Sequence, residues 1–295
     1  MTPYDTIIVG AGPAGLTAAT YLARFRRRVL VLDGGPSRAA WIPESHNTPG
    51  FPQGVSGEAL LARLRAQAVE FGAEIRPGLA LNLTPDDDLF TVTGADFRAQ
   101  ARTVLLATGV VDRIPPLPGI ETAIRDSRVR MCPICDAYEA IDRSLAVLAD
   151  GPLGVRELTF LRTYTDDVAL LSVASIDSSS EADMALPIAF DDLSFTADGV
   201  RLRRSGAAER RFDHLYLALG CAPQAALAVG CGAAQDDTGA LLVNRHQMTS
   251  LVGLYAAGDV VRGLNQITVA AGEAAIAATD IHNWLQACES GAPPE

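Results

Sequence analysis

The chain has 295 residues, of which 48% are hydrophobic, and its formal net charge is −11. This length accommodates two domains with sizeable cores, and the negative charge argues against nucleic acid and anionic membranes as partners. The apolar runs fall short of the roughly 20 residues that span a membrane. The chain opens on a predicted strand rather than a signal peptide. Its five cysteines lack secreted-type spacing, so we expect a cytoplasmic protein with reduced thiols outside any redox pair.

Residues 5–33 are predicted to form a strand, a glycine-rich turn, a helix and a second strand. The turn reads Gly-Ala-Gly-Pro-Ala-Gly, with glycines at Gly10, Gly12 and Gly15. The first glycine permits a tight turn, the second lets a pyrophosphate approach the backbone, and the third lets the helix pack on the strand. Asp33 ends the second strand, 23 residues after Gly10, where an acid can bind ribose hydroxyls. With both strands and the acid present, the unit predicts dinucleotide binding rather than a glycine turn without a ligand.

Residues 36–55 are rich in Pro and Gly and form a loop of a length that is usually functional. His46 in this loop could act as a base, but we favour a loop histidine with a local hydrogen bond. A helix is predicted to follow Ser56, and short strands to run from Glu74 to Ala107. The last strand leads into Thr108-Gly109, a sequence that brings backbone close to a flat group.

Two cysteines follow a proline-rich crossing, in the sequence Met-Cys-Pro-Ile-Cys-Asp. Cys132 and Cys135 are close enough in sequence to close a small disulfide ring or to open to a dithiol. A position at a helix start lowers a thiol pKa, and Asp136 can carry a proton for the attacking or leaving sulfur. The alternative is half of a zinc site, which needs a second cysteine pair or a spaced histidine pair. The remaining cysteines stand singly, so the sequence favours a redox pair and predicts no metal site.

A second strand–turn–helix–strand pattern follows the cysteines, and it repeats the pattern of residues 5–33 with altered turn residues. Its turn spans residues 149–154. Ala149 replaces the first glycine, Asp150 adds a negative charge, and Pro152 lacks an amide hydrogen for a phosphate. The run 172–176 after the second strand has no Arg or Lys to hold a 2′-phosphate. We therefore predict that the nucleotide-binding fold is kept while its ligand chemistry is lost.

Five later arginines could compensate for this loss, but the solvated side of a hairpin is the interpretation we favour. They are Arg201, Arg203, Arg204, Arg210 and Arg211. The final third contains a strand, residues 254–257, that runs into Gly258-Asp259. Residues 269–287 then form a helix of mostly small residues, which we expect to pack closely against the first nucleotide fold.

Taken together, four motifs resemble those of the thioredoxin reductase family of low-molecular-weight flavoenzymes, and the resemblance covers nearly the whole chain. In order they are Gly10 to Gly15 with Asp33, Ala107-Thr108-Gly109, Cys132 to Asp136, and Gly258-Asp259 followed by Gln266-Ile267-Thr268. The resemblance implies an α/β fold with two Rossmann-like nucleotide-binding domains, the second inserted in the first. Residues 1–113 and 240–295 would form the FAD-binding domain, and residues 114–239 the NAD(P)-domain-like module that carries the cysteine pair. It also implies a homodimer.

The same resemblance implies which residues hold FAD and what some of them do. The implied set is Gly10, Gly12, Pro13, Ala14, Gly15, Asp33, Asn47, Thr108, Gly109, Gly258, Asp259, Gln266 and Ile267. Asp259 would hold the ribityl chain, whereas Asn47, Gln266 and Ile267 would lie near the flavin ring.

For the redox pair, the resemblance implies that Cys135 lies against the flavin and that Cys132 attacks the external disulfide. Asp136 would be the acid–base. The chain departs from the family in lacking the second glycine motif and the basic run that holds the NADPH phosphate. These departures make NADPH doubtful as the electron source. They place the chain closer to the pyridine-nucleotide-independent relatives, which include ferredoxin-linked or orphan reductases and dithiol oxidases.

The sequence therefore predicts an FAD-dependent dithiol/disulfide oxidoreductase with a degenerate NADPH site. Its partner would be a thioredoxin-like protein or a small-molecule disulfide or dithiol. One alternative is an ordinary NADPH-dependent thioredoxin reductase, and another is a non-catalytic flavin redox sensor.

Overall fold

The computed structural model describes residues 2–86, 88–174, 185–261 and 263–291. The strands are β1 Tyr4–Val9, β2 Val29–Asp33, β3 Glu74–Pro77, β4 Asn82–Asp86, β5 Leu89–Thr93, β6 Arg98–Leu106, β7 Val110–Asp112, β8 Val129–Arg130, β9 Leu145–Ala149, β10 Val168–Ser172, β11 Leu186–Pro187, β12 Leu193–Thr196, β13 Gly199–Leu202, β14 Arg210–Phe212, β15 His214–Ala218, β16 Cys221–Pro223 and β17 Leu254–Ala256. The helices are α1 Pro13–Arg24, α2 Gly57–Glu70, α3 Ile120–Arg125, α4 Pro133–Asp136, α5 Pro152–Leu161, α6 Ala226–Gly230 and α7 Ile267–Ser290.

The chain divides into two compact units. The first comprises Met1–Ala40, Gly57–Val111 and Ala222–Glu295, and the second comprises Trp41–Ser56 and Asp112–Cys221. In the first unit, β3, β2, β1, β6 and β17 lie side by side as parallel strands, and β5 and β4 extend the sheet in antiparallel fashion. The strands β1, β2 and β17 are largely apolar and buried, as expected where both faces of a parallel sheet are covered, whereas β3 has exposed ends.

The predicted small-residue helix is confirmed as α7, and it packs against α1. Ala18 and Ala19 of α1 and Ala274 and Ala277 of α7 belong to one buried core cluster. Each of the four side chains is completely buried. Because a methyl group is the whole side chain, two alanine faces allow the helix backbones to approach closely. This packing joins the two ends of the chain in one unit.

The second unit contains its own parallel sheet, in the order β11, β10, β9, β15 and β8. A separate antiparallel sheet is formed by β12, β13 and β14. The two parallel sheets confirm the predicted mixed α/β fold with two Rossmann-like nucleotide-binding folds. None of the helices within the described residues combines the length and the apolar character needed to cross a membrane.

Four of the five late arginines pair with acidic side chains on or beside the antiparallel sheet. Arg201 and Arg203 pair with Glu209, Arg210 with Asp167, and Arg211 with Asp198. The structure therefore supports the hairpin interpretation of this run. These charges are engaged within the second unit.

Two segments lie differently from the boundaries that the sequence suggested. Residues 222–239 were placed in the inserted domain, but they belong to the first unit. The reason is apolar packing, since Ala225, Ala228 and Ala233 join the core that contains Leu83 and Val92. The loop 41–56, placed by the sequence in the first domain, clusters with the second unit.

Candidate redox site and dinucleotide cleft

Cys132 and Cys135 form a disulfide in the structure, with their Cα atoms 5.3 Å apart. Cys132 is the N-cap of α4, and Pro133 occupies the first helical position, where its fixed φ is favourable. The Cys135 amide donates to the Cys132 carbonyl oxygen at 2.9 Å. The predicted helix start is thus confirmed, but α4 has four residues and its dipole adds little to the environment of the sulfurs.

Asp136 follows Cys135 directly at the end of α4, and one side chain from β8 and one from β15 contact it. The Tyr216 hydroxyl donates a hydrogen bond to Asp136 Oδ1 at 3.0 Å. The Arg130 Nη1 atom lies 3.5 Å from Oδ2 and donates to the Asp136 backbone oxygen at 2.7 Å. Asp136 itself remains 28% exposed, whereas Arg130 is 9% exposed and Tyr216 is completely buried. The carboxylate is therefore held by two largely buried side chains while it remains partly exposed to solvent.

Burial raises the pKa of Asp136 to about 6, and the positive charge of Arg130 and the Tyr216 hydrogen bond oppose that rise. Glu139 raises the pKa further through like-charge repulsion. A carboxyl group with a pKa near 6 can both accept and release a proton around neutral pH. This property is compatible with the acid–base role that the family resemblance implies for Asp136.

Arg130 is held in turn by His214 and Ser127. The His214 Nδ1 atom lies 2.9 Å from the Ser127 carbonyl oxygen, and Arg130 Nη2 lies 3.5 Å from His214 Nε2. Burial and the charge of Arg130 lower the pKa of His214 to about 4, so the ring is neutral at physiological pH. The neutral ring then donates through Nδ1 and accepts through Nε2. Sequence reasoning missed these residues, although a tyrosine inside the apolar run of β15 was a usable signal.

The first glycine turn has the close approaches that the motif predicts. A Cβ atom on Gly10, whose φ is +112°, would lie 2.3 Å from the Ala107 carbonyl oxygen. A Cβ atom on Gly15 would lie 1.9 Å from the Gly10 oxygen. Gly12 is the N-cap of α1, with Pro13 at the first helical position, and a Cβ atom there would approach Ser37 Oγ at 3.1 Å. Only glycine fits at positions 10 and 15, and at Gly12 the missing Cβ atom leaves the backbone accessible beside the N-terminus of α1.

A cleft of ≈ 360 Å³ opens beside this turn. It is lined by Ala11, Leu16, Asp33, Gly35, Pro36, Ser37, Ala40, Leu61, Arg65 and Pro77. Asp33 accepts hydrogen bonds from the Arg65 guanidinium and, at 3.3 Å, from the Gly35 amide. The open turn, the cleft and an acid at its wall fit the adenosine and pyrophosphate of a dinucleotide such as FAD.

Other predicted FAD residues of the first unit lie at the ends of its strands and at one helix start. Thr108 donates to the Gln224 carbonyl oxygen at 2.7 Å, and Gly109 has a φ of +67°. Asp259 pairs with Arg38 at 3.2 Å. Gln266 is the N-cap of α7, and Ile267 is its first residue. Within the described residues no group of three His, Cys, Asp or Glu side chains is arranged to hold a metal ion.

Two further predicted FAD residues, Gly258 and Ala14, lie next to each other in the first unit. The Gly258 amide donates to Glu273 Oε2 at 2.8 Å, and a Cβ atom on Gly258 would lie 3.0 Å from the Ala14 Cβ atom. Asn47, by contrast, belongs to the second unit, where Ser45 Oγ donates to its Oδ1 at 3.1 Å.

The second glycine turn is more intact than the sequence suggested. Gly151 is the N-cap of α5 and Pro152 occupies its first helical position, the same place that Pro13 holds in α1. Proline is therefore not a defect in itself, because the nitrogen at this position makes no helical hydrogen bond in either turn. A Cβ atom on Gly154 would lie 2.2 Å from the Ala149 Cβ atom, so close packing of helix on strand is kept.

The charges beside this turn also differ from the simple expectation. Asp150 pairs with Arg113 at 3.2 Å, which offsets part of the repulsion that Asp150 would exert on a phosphate. The Val173 amide donates to the Ala149 carbonyl oxygen at 3.0 Å, so Val173 lies beside the turn. Ser172 donates to the Ala174 carbonyl oxygen. Residues 175 and 176 of the predicted non-basic run lie outside the described residues.

Two Rossmann-like folds, one with an intact dinucleotide turn and one with a Cys-Pro-Ile-Cys disulfide, define the class of the nucleotide-dependent disulfide oxidoreductases. The family described as pyridine nucleotide-disulphide oxidoreductase matches residues 4–203 and 190–274. The chain is 31% identical to a thioredoxin reductase of Mycolicibacterium smegmatis, over 96% of this chain and 97% of the relative. It is 32% identical to one of Streptomyces coelicolor, over 99% and 97%.

Solved structures agree. The thioredoxin reductase of Streptococcus pyogenes superposes with a TM-score of 0.84 at 25% identity, over 96% of this chain and 98% of that one. The structure of HlmI superposes with a TM-score of 0.86 at 27% identity, over 98% and 94%. The chain therefore belongs to the thioredoxin reductase family, and it is an FAD-dependent disulfide oxidoreductase. Membership of an enzyme family removes the alternative of a non-catalytic sensor.

Proposed function

We propose that this enzyme exchanges electrons between FAD, the Cys132–Cys135 pair and an external disulfide or dithiol, and that it uses NADPH poorly. The observation that carries the proposal is the coexistence of an intact first glycine turn with a closed cysteine pair beside a proton carrier. Bound FAD supplies the two-electron redox chemistry. We assign its binding to the turn Gly10–Gly15, to Asp33 and Asp259, and to the remaining predicted cofactor residues.

The chain's own residues account for the exchange at sulfur. Asp136 as the carboxylate takes the proton of the Cys132 thiol, and the resulting thiolate attacks one sulfur of the external disulfide. A mixed disulfide forms, and the expelled thiolate receives that proton from Asp136. Cys135 then attacks the Cys132 sulfur and releases the second thiol, which keeps the proton that Cys135 loses. One dithiol is oxidised by two electrons and one disulfide is reduced to two thiols.

The partner is best matched by a thioredoxin-like protein, with a small-molecule disulfide or dithiol as the other class. Relatives of this chain are named thioredoxin reductases, and one is named a bifunctional thioredoxin reductase/thioredoxin. Ile134 and Tyr138, which flank Cys135 and Asp136 in sequence, are 51% and 73% exposed. Exposed apolar side chains next to a reactive group are typical of a protein-docking surface. The homodimer and the cytoplasmic location stay predictions.

The weak use of NADPH rests on the missing charge at the 2′-phosphate. Such a phosphate carries close to two negative charges and is normally met by arginine. Residues 172–184 contain no Arg or Lys but three acids, Asp177, Glu181 and Asp183. Four of the five late arginines that could have compensated are paired with acids of the second unit. Each missing charge-assisted hydrogen bond lowers the affinity by roughly ten- to a hundredfold.

The alternative is an ordinary NADPH-dependent thioredoxin reductase. The names of its relatives favour it, and so do the retained Gly151 and Gly154 and the pairing of Asp150 with Arg113. Under this alternative the 2′-phosphate would be bound without a basic run after β10.

Anaerobic stopped-flow mixing of oxidised enzyme with NADPH separates the two functions. We expect slow flavin bleaching and no marked preference for NADPH over NADH. The double substitution Val173→Arg with Ala174→Arg should create such a preference, because both positions follow β10, the parallel neighbour of the strand β9 that leads into the second turn. Replacing the exposed Val111 with Arg is the control for added positive charge. Rapid bleaching of the unmodified enzyme at micromolar NADPH would establish the ordinary reductase instead.

A further inference from the structure

We propose that Arg130 and Tyr216 are positioning residues for Asp136, holding its carboxylate next to the redox pair in the ionised form that can take a proton from a cysteine. This inference rests on the proposed function, since it concerns the proton carrier of the same site. The two residues come from β8 and β15, which are neighbouring strands of the parallel sheet. Their registered partners are Val129 with Leu215 and Arg130 with Tyr216.

The first argument is that the two oxygen atoms of the Asp136 carboxylate have different neighbours. Tyr216 donates to Oδ1 at 3.0 Å, whereas Arg130 approaches Oδ2 at 3.5 Å, so each oxygen has its own neighbour. Arg130 also donates to the Asp136 backbone oxygen at 2.7 Å. Side chain and backbone of Asp136 are thereby held together, which restricts rotation of the carboxylate of the residue that directly follows Cys135. A general base requires such a restricted geometry because proton transfer operates over hydrogen-bond distance.

The second argument is that Arg130 is itself fixed. Its Nε atom donates to the Ser127 carbonyl oxygen at 3.3 Å, and its Nη2 atom faces His214 Nε2 at 3.5 Å. Ser127 has a φ of 58°, in the left-handed region, and its carbonyl oxygen also accepts from His214 at 2.9 Å. The Arg130 side chain is only 9% exposed, so its guanidinium group lies beside Asp136 and is largely shielded from solvent. A buried cation needs such partners, and here they include the neutral His214.

The charged and titratable groups around Asp136 have opposing effects. Arg130 on β8 and Tyr216 on β15 favour the carboxylate, whereas burial and Glu139, just after α4, favour the protonated acid. His214 on β15 faces Arg130. Helix α5, which packs against α4, carries Arg156 and Glu157. The two positioning residues thus oppose the burial, which favours the protonated acid.

The test measures thiol–disulfide exchange of the reduced holoenzyme as a function of pH. Cys221, Cys231 and Cys288 are first replaced with Ser, so that only the redox pair reacts. The rate with 4,4′-dithiodipyridine, an uncharged disulfide, is followed anaerobically from about pH 5 to about pH 9. The unmodified pair should lose rate below an inflection near pH 6, the pKa of Asp136.

Tyr216→Phe removes one hydroxyl and should move this inflection upward by about one pH unit or more, the equivalent of a lost charge-assisted hydrogen bond. At pH 6.5 the rate should fall roughly threefold, and raising the pH should restore it, which a loss of structure would not allow. Arg130→Met should shift the inflection in the same direction. It carries the test independently if the tyrosine variant does not fold.

Two matched controls accompany these variants. Tyr255→Phe removes another completely buried hydroxyl, which donates to Asp280 at 2.8 Å in the first unit. Arg128→Met removes the same charge two residues away, where the side chain pairs with Asp126. Neither control should move the inflection. Asp136→Asn should abolish it.

An inflection that stays in place in both Tyr216→Phe and Arg130→Met overturns the proposal. An inflection that survives Asp136→Asn overturns it as well, because the titration would belong to another group. Neither result would exclude electron exchange between FAD and the cysteine pair, although an inflection that survives Asp136→Asn would remove Asp136 from the proposed sulfur steps. That exchange is read from the flavin absorbance, whereas the dithiodipyridine reaction does not use the flavin.

Discussion

Glu157 on α5 links the pH of the solution to the stability of the second unit. Its Oε2 atom is buried and has no hydrogen-bond partner among the described residues. Burial raises the pKa of Glu157 to about 8, and Arg156 opposes the rise only in part. The substitution Glu157→Gln keeps the shape of the side chain and removes its ionisation. It should therefore change how the free energy of unfolding depends on pH.

The sign follows from proton linkage. The folded state binds the Glu157 proton more tightly than the unfolded state, whose pKa is near 4.5. The stability that this proton contributes is complete below pH 4.5 and is lost as the pH rises through about 8. At about 1.4 kcal/mol per pH unit, the loss is at most about 5 kcal/mol, and water penetration on opening makes roughly 2–5 kcal/mol the expected range. Glu157→Gln should lack this loss.

Denaturant unfolding at several pH values between about 5 and about 9 measures the effect. The chain has two tryptophans. Trp41 packs against a core cluster of the second unit, whereas Trp284 packs against one of the first unit. A Trp284→Phe background therefore makes the fluorescence specific for the unit that contains Glu157.

Glu121→Gln, an exposed glutamate on α3 of the same unit, is the matched control and should keep the pH dependence of the parent. The variant Glu157→Gln should gain stability over the parent as the pH rises toward 8. Parallel curves for Glu157→Gln and the parent across this range would refute the reasoning, since they would show that Glu157 ionises equally easily in both states.

Two further predictions concern the flavin and the cysteine pair. Gly12→Val should give colourless protein, because the valine side chain fills the pyrophosphate approach beside Ser37 Oγ. Gly151→Val, at the equivalent position of α5, should keep its flavin. The flavin absorbance of the purified proteins measures this difference, and equal flavin content in both variants would contradict the assignment. Cys135→Ser should reduce disulfide turnover to background because a closed ring needs both sulfurs, whereas Cys221→Ser and Cys288→Ser should retain turnover. Turnover retained by Cys135→Ser would exclude the pair as the redox centre.

Local sequence patterns predicted several features of the fold and of the candidate site. The glycine spacing predicted the first turn because a Cβ atom on Gly15 would meet Gly10 within the turn, and one on Gly10 would meet Ala107, directly after the neighbouring strand β6. The spacing of Cys132 and Cys135 predicted their disulfide, because one helical turn brings such residues together. The alternation of apolar strands with helices predicted the two parallel sheets. These features depend on residues that are close in sequence or on adjacent secondary-structure elements, and such short-range relations can be predicted from sequence patterns.

What the tertiary structure decided involves residues far apart in the chain. Tyr216 reaches Asp136 across 80 positions, and neither its hydroxyl nor the burial of Arg130 follows from local spacing. The packing of residues 222–239 on the first unit depends on which core offers room for small side chains. The sequence thus predicted a redox pair, a proton carrier and a dinucleotide turn, and the structure contains the Cys132–Cys135 disulfide and the close-packed glycine turn. Only the fold decided which buried groups surround the proton carrier, because burial and charge at a site are set by every element packed against it.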